Sequence, residues 1–386
     1  MGPGSGPAAY LVWNSLVQIH YLFVDMHHEL LYVAKYFITV ALQDFEKEVA
    51  PETLAPSDTW PQILLDLVGL GLAVGAGPYI YTYLARRQYF IDVAGTDAAD
   101  TLVKDTSFAL YAALASATKD MVTTKRLELV LPFPPRWTPK SQATFPDYLV
   151  QAFEAWGSST ERAVSRAFSG DDAAIEALTL LISDGKWIDG WGGNRTIPDD
   201  PDKNNSDGVT WFLTRAFYAY AIPAIWTVSG IHAFVLDSGY PCGTIDPMGQ
   251  YINTDTQHAT WACFQDKLYY LVAPIGKSQD CLETICPSKT SSAPPGLNLL
   301  LGSSLGSSPF HDISVQDFIE GAVRTFIANG NRNGAQPMDP VSRDSFEDIV
   351  NHDIHAPGYI RLPVCRPDVA FQGWVRGDRK APDYPC

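Results

Sequence analysis

The chain has 386 residues, 46% of them hydrophobic and only 18% charged, with 10 Trp, 18 Tyr and 18 Phe. So much apolar and aromatic surface builds a sizeable core and excludes a globally disordered chain, and the length gives two domains or one large one. Asp and Glu outnumber Lys and Arg by 43 to 27, a formal charge of −16. With no cluster of positive charge to interrupt it, that field excludes sequence-independent binding to nucleic acid.

Residues 1–7 read as an expression scar or leader remnant rather than fold-bearing sequence. Over residues 8–49 the apolar positions Val12, Leu16, Ile19, Phe23, Met26, Leu30, Val33 and Phe37 recur at helical spacing, and Pro51 and Pro56 stop the run. A second helix opens at Ser57-Asp58-Thr59-Trp60-Pro61 and runs through a glycine-dotted apolar segment to Arg86-Arg87. A third covers residues 97–123. Residues 146–169 and 171–183 form a helical pair broken at Gly170, with Gly185 as a C-cap. Residues 186–208 read as loop, and Asp207 caps a long apolar helix interrupted by Pro223 and ending near Gly239.

Beyond Cys242 the character changes. Short apolar runs such as residues 268–272 alternate with Ser/Pro/Gly-rich loops, and one helix covers residues 314–329. The fold class is therefore mainly α: a multi-helix bundle over residues 8–240, with an irregular, disulfide-braced region over residues 241–386 packed on it.

Cys242, Cys263, Cys281, Cys286, Cys365 and Cys386 all lie in that last part. An even number at uneven spacing, without paired metal knuckles, reads as disulfides. Pairing of sequence neighbours is expected: Cys242 with Cys263, Cys281 with Cys286, Cys365 with Cys386. Disulfides belong to oxidising compartments, and the sequons at Asn194 and Asn204 agree with a secreted, extracellular glycoprotein.

Two apolar runs are long enough to enter a bilayer: residues 67–84, which lack any charge, and residues 216–236, where His232 is the one group that ionises near neutrality. A helix apolar all round also belongs at the centre of a soluble bundle, and that reading is preferred, with toxin-like conditional insertion and then a constitutive span as the other branches.

Several motifs suggest chemistry. Gly302-Ser303-Ser304-Leu305-Gly306 matches a nucleophile elbow, but no series of parallel strands precedes it, so Ser304 reads as a chance match in a Ser/Gly-rich loop. Asp200, Asp202 and Asn204 occupy the first, third and fifth positions of a calcium loop. Its sixth position is Asn205 instead of Gly and its twelfth is Trp211 instead of Glu, so a solvated loop is expected and no metal. His28-Glu29 begins a zinc-protease motif that Tyr32 fails to close, and His352-Asp353-Ile354-His355 brings two imidazoles near one another without a third ligand. Trp187-Ile188-Asp189-Gly190-Trp191 joins aromatic faces, which stack on sugars, to a carboxylate. Asp189 with Asp171, Asp172 or Asp246 would supply the two carboxylates a glycosidase needs. Trp187 and Trp191 themselves read as anchors of the loop.

The run 313–318, Gly321-Ala322-Val323-Arg324-Thr325-Phe326, Asn329-Gly330-Asn331-Arg332-Asn333-Gly334, Pro363-Val364-Cys365, Trp374 and Tyr384-Pro385-Cys386, together with Leu181-Ile182-Ser183-Asp184-Gly185-Lys186, resembles a group of uncharacterised secreted proteins of filamentous fungi. The resemblance implies an extracellular site and paired cysteines, and brings no activity with it. The expected function is thus a secreted binding or effector/toxin-like protein at a target cell surface, its partner a glycan, a protein or the lipid bilayer. The alternative is a polysaccharide-active hydrolase using paired carboxylates in an aromatic-lined cleft. No cofactor is expected, and whether the chain is an enzyme stays open.

Overall fold

The computed structural model describes residues 6–36, 45–49, 66–93, 99–124, 145–188, 201–245, 247–276, 290–300 and 312–386. The elements, in order, are helix α1 (Pro7–Tyr36), the short α2 (Phe45–Val49), a π-helical turn (Leu67–Gly71) continued by α3 (Leu72–Ala85), α4 (Gln88–Val93), α5 (Ala99–Thr124), α6 (Phe145–Ala167), α7 (Asp172–Ile182) and α8 (Pro201–Val228). Strand β1 (Phe234–Pro241), α9 (Thr254–Thr260), β2 (Trp261–Phe264), β3 (Lys267–Pro274), β4 (Ser291–Ser292), α10 (Leu297–Leu300), α11 (Val315–Ala328), α12 (Arg343–His352), a 3-10 turn (Asp353–His355), β5 (Val364–Cys365) and α13 (Pro367–Arg376) come after them. The mainly helical class with a disulfide-braced C-terminal part is borne out.

The glycine-dotted run is the hub of the bundle. Of the described helical stretches, Leu67–Ala85 is the one long and apolar enough to cross a membrane, and 78% of it is buried inside the molecule. It packs against α5, α6 and α8 as a core helix. Its glycines permit that closeness: a Cβ on Gly75 would lie 2.7 Å from the Leu213 side chain and 3.0 Å from the Leu213 backbone on α8.

The second apolar run is divided between two kinds of structure. Helix α8 passes through Pro223 but stops at Val228. Gly230, at φ +75°, turns the chain, and the N–H of Ile231 closes back on the Trp226 carbonyl at 2.8 Å, a Schellman-type stop. Strand β1 then begins at Phe234, in place of the expected continuous helix to Gly239. The reason lies in residues 234–236, Phe-Val-Leu, which suit a pleat buried on both faces. The start of α8 also differs: the helix begins at Pro201, within the stretch read as loop, and not at Asp207. Proline suits a first helical turn because its missing N–H is an orphan there in any case.

The sheet runs β2-β3-β1-β5, with β4 beside β3; β1 and β5 are parallel and the remaining pairs antiparallel. Alternate residues face two cores. Val235 and its partner Leu271 join the large core shared with the helices, while Phe234, Leu236, Tyr270 and Val272 form a smaller one with Met248, Ile252 and Ala370. The disulfide Cys242–Cys263 ties the end of β1 to β2, and Cys365–Cys386 ties β5 to the last residue. Both pairings are the ones expected; Cys281 and Cys286 lie outside the described residues.

Candidate functional site

The densest buried charge in the described chain gathers where α3 and α8 meet α11 and the turn after α12. Helix α11 starts with a reciprocal cap: Ser314 accepts from the Asp317 N–H, while the Ser314 N–H and Oγ–H donate to Asp317 Oδ2 at 2.8 and 2.7 Å. The other oxygen of the same carboxylate, Oδ1, receives Nη2 of Arg215 at 2.5 Å and lies 2.8 Å from Nε2 of His355. Nε of Arg215 sits 3.3 Å from Asp353 Oδ2, and its guanidinium stacks 5.0 Å over Trp211. On the far side of His355, Nδ1 is 3.9 Å from Glu320, which pairs with Arg324 at 2.9 Å one turn along α11.

Two carboxyls of this network, Asp317 and Asp353, are shifted in opposite directions. Burial alone would raise Asp317, but the His355 contact, the Arg215 charge and the Ser314 hydroxyl and N–H outweigh it and keep the group below the usual carboxylate range. Asp353 goes the other way. Burial pushes it up to about 6, and the nearby Arg215 and His355 charges offset only part of that. Its Oδ1 is buried with no hydrogen-bond partner among the described residues, and its backbone sits at φ 52°, ψ −131°, a strained region for a residue with a side chain.

A cleft of about 390 Å³ opens on this network. Tyr81 and Thr82 of α3 and Phe212 of α8 form one wall; Glu320 and Arg324 of α11 with His352, Asp353 and His355 form the other. Tyr81 is oriented by donating its hydroxyl hydrogen to Asp100 at 2.9 Å. Burial and the charge of Arg324 hold His352 below its ordinary range. Asp317 does not line the cleft; it positions Arg215 and His355 from behind. A second cavity of about 490 Å³ lies along the other half of α8, walled by Tyr220, Trp226, Tyr359 and Tyr384, but among the described residues Asp383 is its one lining carboxylate. Two lining carboxylates, Asp353 and Glu320, therefore single out the first cleft for acid–base chemistry. Among the described residues no group of three or more His, Cys, Asp or Glu is placed to hold a metal ion.

An acid that is more easily protonated in the folded state than in the unfolded one favours folding below its ordinary range. That advantage fades as pH rises through the folded value. The Asp353 contribution is thus expected to decline between about pH 4 and pH 6, by about 2–3 kcal/mol in all. In Asp353→Asn, urea-unfolding free energies should lack this decline; an unaltered slope would contradict the assignment.

Of the sequence-predicted carboxylates, Asp171 and Asp172 fall away from the cleft. Asp171 caps α7, accepting from the Ala174 N–H at 2.9 Å and from the Ser169 hydroxyl at 2.6 Å, and Asp172 is exposed in the first turn; neither lines the cleft. The capping hydrogen bonds, from Ser169 first and then from the backbone, keep Asp171 below the usual carboxylate range. Asp189, Asp246, Ser304, Asp200, Asn194 and Trp191 lie outside the described residues, while Asp202 and Asn204 fall in the first turn of α8. Trp187 is an anchor: fully buried, it donates Nε1–H to the Leu181 carbonyl at 3.1 Å. His352 and His355 do come together, on the cleft. Asp353 between them, Glu320 and Arg215 were not singled out from the sequence.

Fold and site thus define a class: a mainly helical, disulfide-braced protein with a charged cleft. Two relatives give it a setting. The chain is 37% identical over 399 residues to the probable chitinase LysM18 of Penicillium expansum, covering 99% of this chain and 26% of that protein. It is 32% identical over 414 residues to the secreted chitinase LysM12 of the same fungus, covering 100% of this chain and 26% of that protein. The chain spans about a quarter of the length of these relatives. No protein-family model matches it, and no solved structure does. The protein is secreted and extracellular, as its disulfides and the secreted relative agree. The resemblance to fungal secreted proteins holds, but the relatives carry a chitinase name where no activity was implied. Neither name speaks of a toxin or effector.

Proposed function

We propose that this chain acts on an extracellular polysaccharide of the chitin type, as part of a longer chitinase-like protein, and that the Asp353–Glu320 cleft is where the glycan is cleaved. The observation that carries the reading is a pair of cleft-lining carboxylates in unlike settings. Asp353 keeps its proton up to about pH 6, while Glu320 is paired with Arg324. Unlike environments that separate two carboxyl groups are the means by which glycosidases divide the acid and base roles. Asp353 donates its proton to the glycosidic oxygen. The Glu320 carboxylate, on the opposite side of the bond, attacks the sugar carbon or activates the water that does. Tyr81 and Phe212 supply faces for the sugar ring. The relatives' names support the substrate class, and the toxin-like reading has no comparable support.

The test is reducing-end release from chito-oligosaccharides by the full chain. Activity should decline above about pH 6 as Asp353 ionises, and Asp353→Asn and Glu320→Gln should each lose about a hundredfold or more in kcat/KM. Binding of the oligosaccharide with no turnover would reject hydrolysis and reduce the cleft to a recognition site.

A further inference from the structure

Helix α1 is apolar on two opposite faces, which one packing surface does not require. Its inner face, Ser15, Ile19, Leu22, Phe23, Met26 and Leu30, is buried against the bundle. By helical geometry, Tyr10, Trp13, Tyr21 and Tyr32 point the other way, within about 60° of one another's mean direction. They are 50%, 58%, 54% and 62% exposed. Val17, Val24, His28 and Leu31 fill the same stripe; between Tyr10 and Tyr32 its one charged position is Asp25, at the edge, and Lys35 follows beyond Tyr32. On a surface helix that face should be polar, and contiguous exposed aromatic surface marks a contact site.

We infer that this outer face of α1 is an adsorption surface for an insoluble, uncharged polysaccharide of the chitin type, separate from the cleft. The composition selects the occupant. Three tyrosines and a tryptophan present flat apolar faces with polar tips, which suits sugar rings that are apolar on their faces and hydroxylated at their edges. Between Tyr10 and Tyr32 the stripe carries a single charge, Asp25 at its edge, in a chain of formal charge −16, which matches an uncharged polymer and opposes an anionic lipid surface. From Tyr10 to Tyr32 it extends about 33 Å, long enough to lie along a chain of several sugars and not to enclose one. The inference rests on the glycan reading above but not on cleavage in the cleft.

The experiment is depletion of the full chain from solution by chitin powder, with anionic and neutral lipid vesicles as parallel arms. The parent should partition onto chitin and not onto vesicles. The triple variant Trp13→Ala, Tyr21→Ala, Tyr32→Ala should lose about tenfold or more of that partition with its thermal unfolding unchanged, because the rings are exposed. The triple variant with Phe at those positions should retain it. Adsorption that survives the alanine substitutions, no adsorption of the parent, or preference for vesicles would overturn the inference. Soluble oligosaccharide turnover is read in the same preparations: its absence with adsorption intact would refute the cleft's role alone.

Discussion

Asp317→Ala is expected to destabilise the fold by about 4 kcal/mol in urea unfolding, because it leaves a largely buried Arg215 short of its closest counter-charge. One carboxylate here serves the Ser314 cap, the Arg215 guanidinium and the His355 ring together. Ser314→Ala, which removes the cap but leaves the charge, should cost only about 1 kcal/mol. The pH dependence stems from the depressed titration of Asp317. Its stabilisation is complete above the ordinary carboxylate range and is lost as pH falls through the depressed value, so the gap between parent and variant should narrow in acid. The same substitution removes a negative charge that helps raise Asp353. The alkaline limb of any turnover should then shift to lower pH. A cost below about 1 kcal/mol, with no change of acid sensitivity, would show that Arg215 is satisfied by Asp353 alone.

Removing the Cys365–Cys386 bridge is expected to cost about 3.5 kcal/mol, the loop-closure entropy for cysteines 21 residues apart. The bridge holds β5, the parallel edge of the sheet beside β1, against the last residue of the chain. Within the loop, α13 is pinned by Trp374, which donates Nε1–H to the Ile275 carbonyl at 2.9 Å. In Cys365→Ser/Cys386→Ser, hydrogen exchange should quicken in residues 364–386 before the helical bundle responds, because the loss is local to that edge. Uniform acceleration across α3, α5 and α8 would mean that the C-terminal part holds the bundle together.

The helices were legible where apolar periodicity was broken by polar caps. Residues 97–123 became Ala99–Thr124, and Gly170 and Asp171 divide α6 from α7 as the sequence suggests. Strand β1 was not, because residues 216–236 read as one apolar run in which only Gly230 marks the change from helix to strand. The two described disulfides joined neighbours, so their spacing was enough. The cleft depends instead on contacts across 102 and 38 residues, Arg215 to Asp317 and Asp317 to His355, which no local pattern encodes. One fragment of it was visible: the two histidines flanking Asp353. Asp171 attracted notice as a second carboxylate for Asp189, yet a Ser169–Asp171 pair ahead of an apolar helix is also a cap signature, and capping is what it does.

The most direct test of the central claim is a crystal structure of the full chain with a bound chito-oligosaccharide. The account predicts a sugar ring against Tyr81 and Phe212, with the glycosidic oxygen within hydrogen-bond reach of Asp353 and Glu320 on the opposite side of the bond. Density for the oligosaccharide in the Tyr220–Tyr384 cavity instead, with the Asp353 cleft empty, would contradict it.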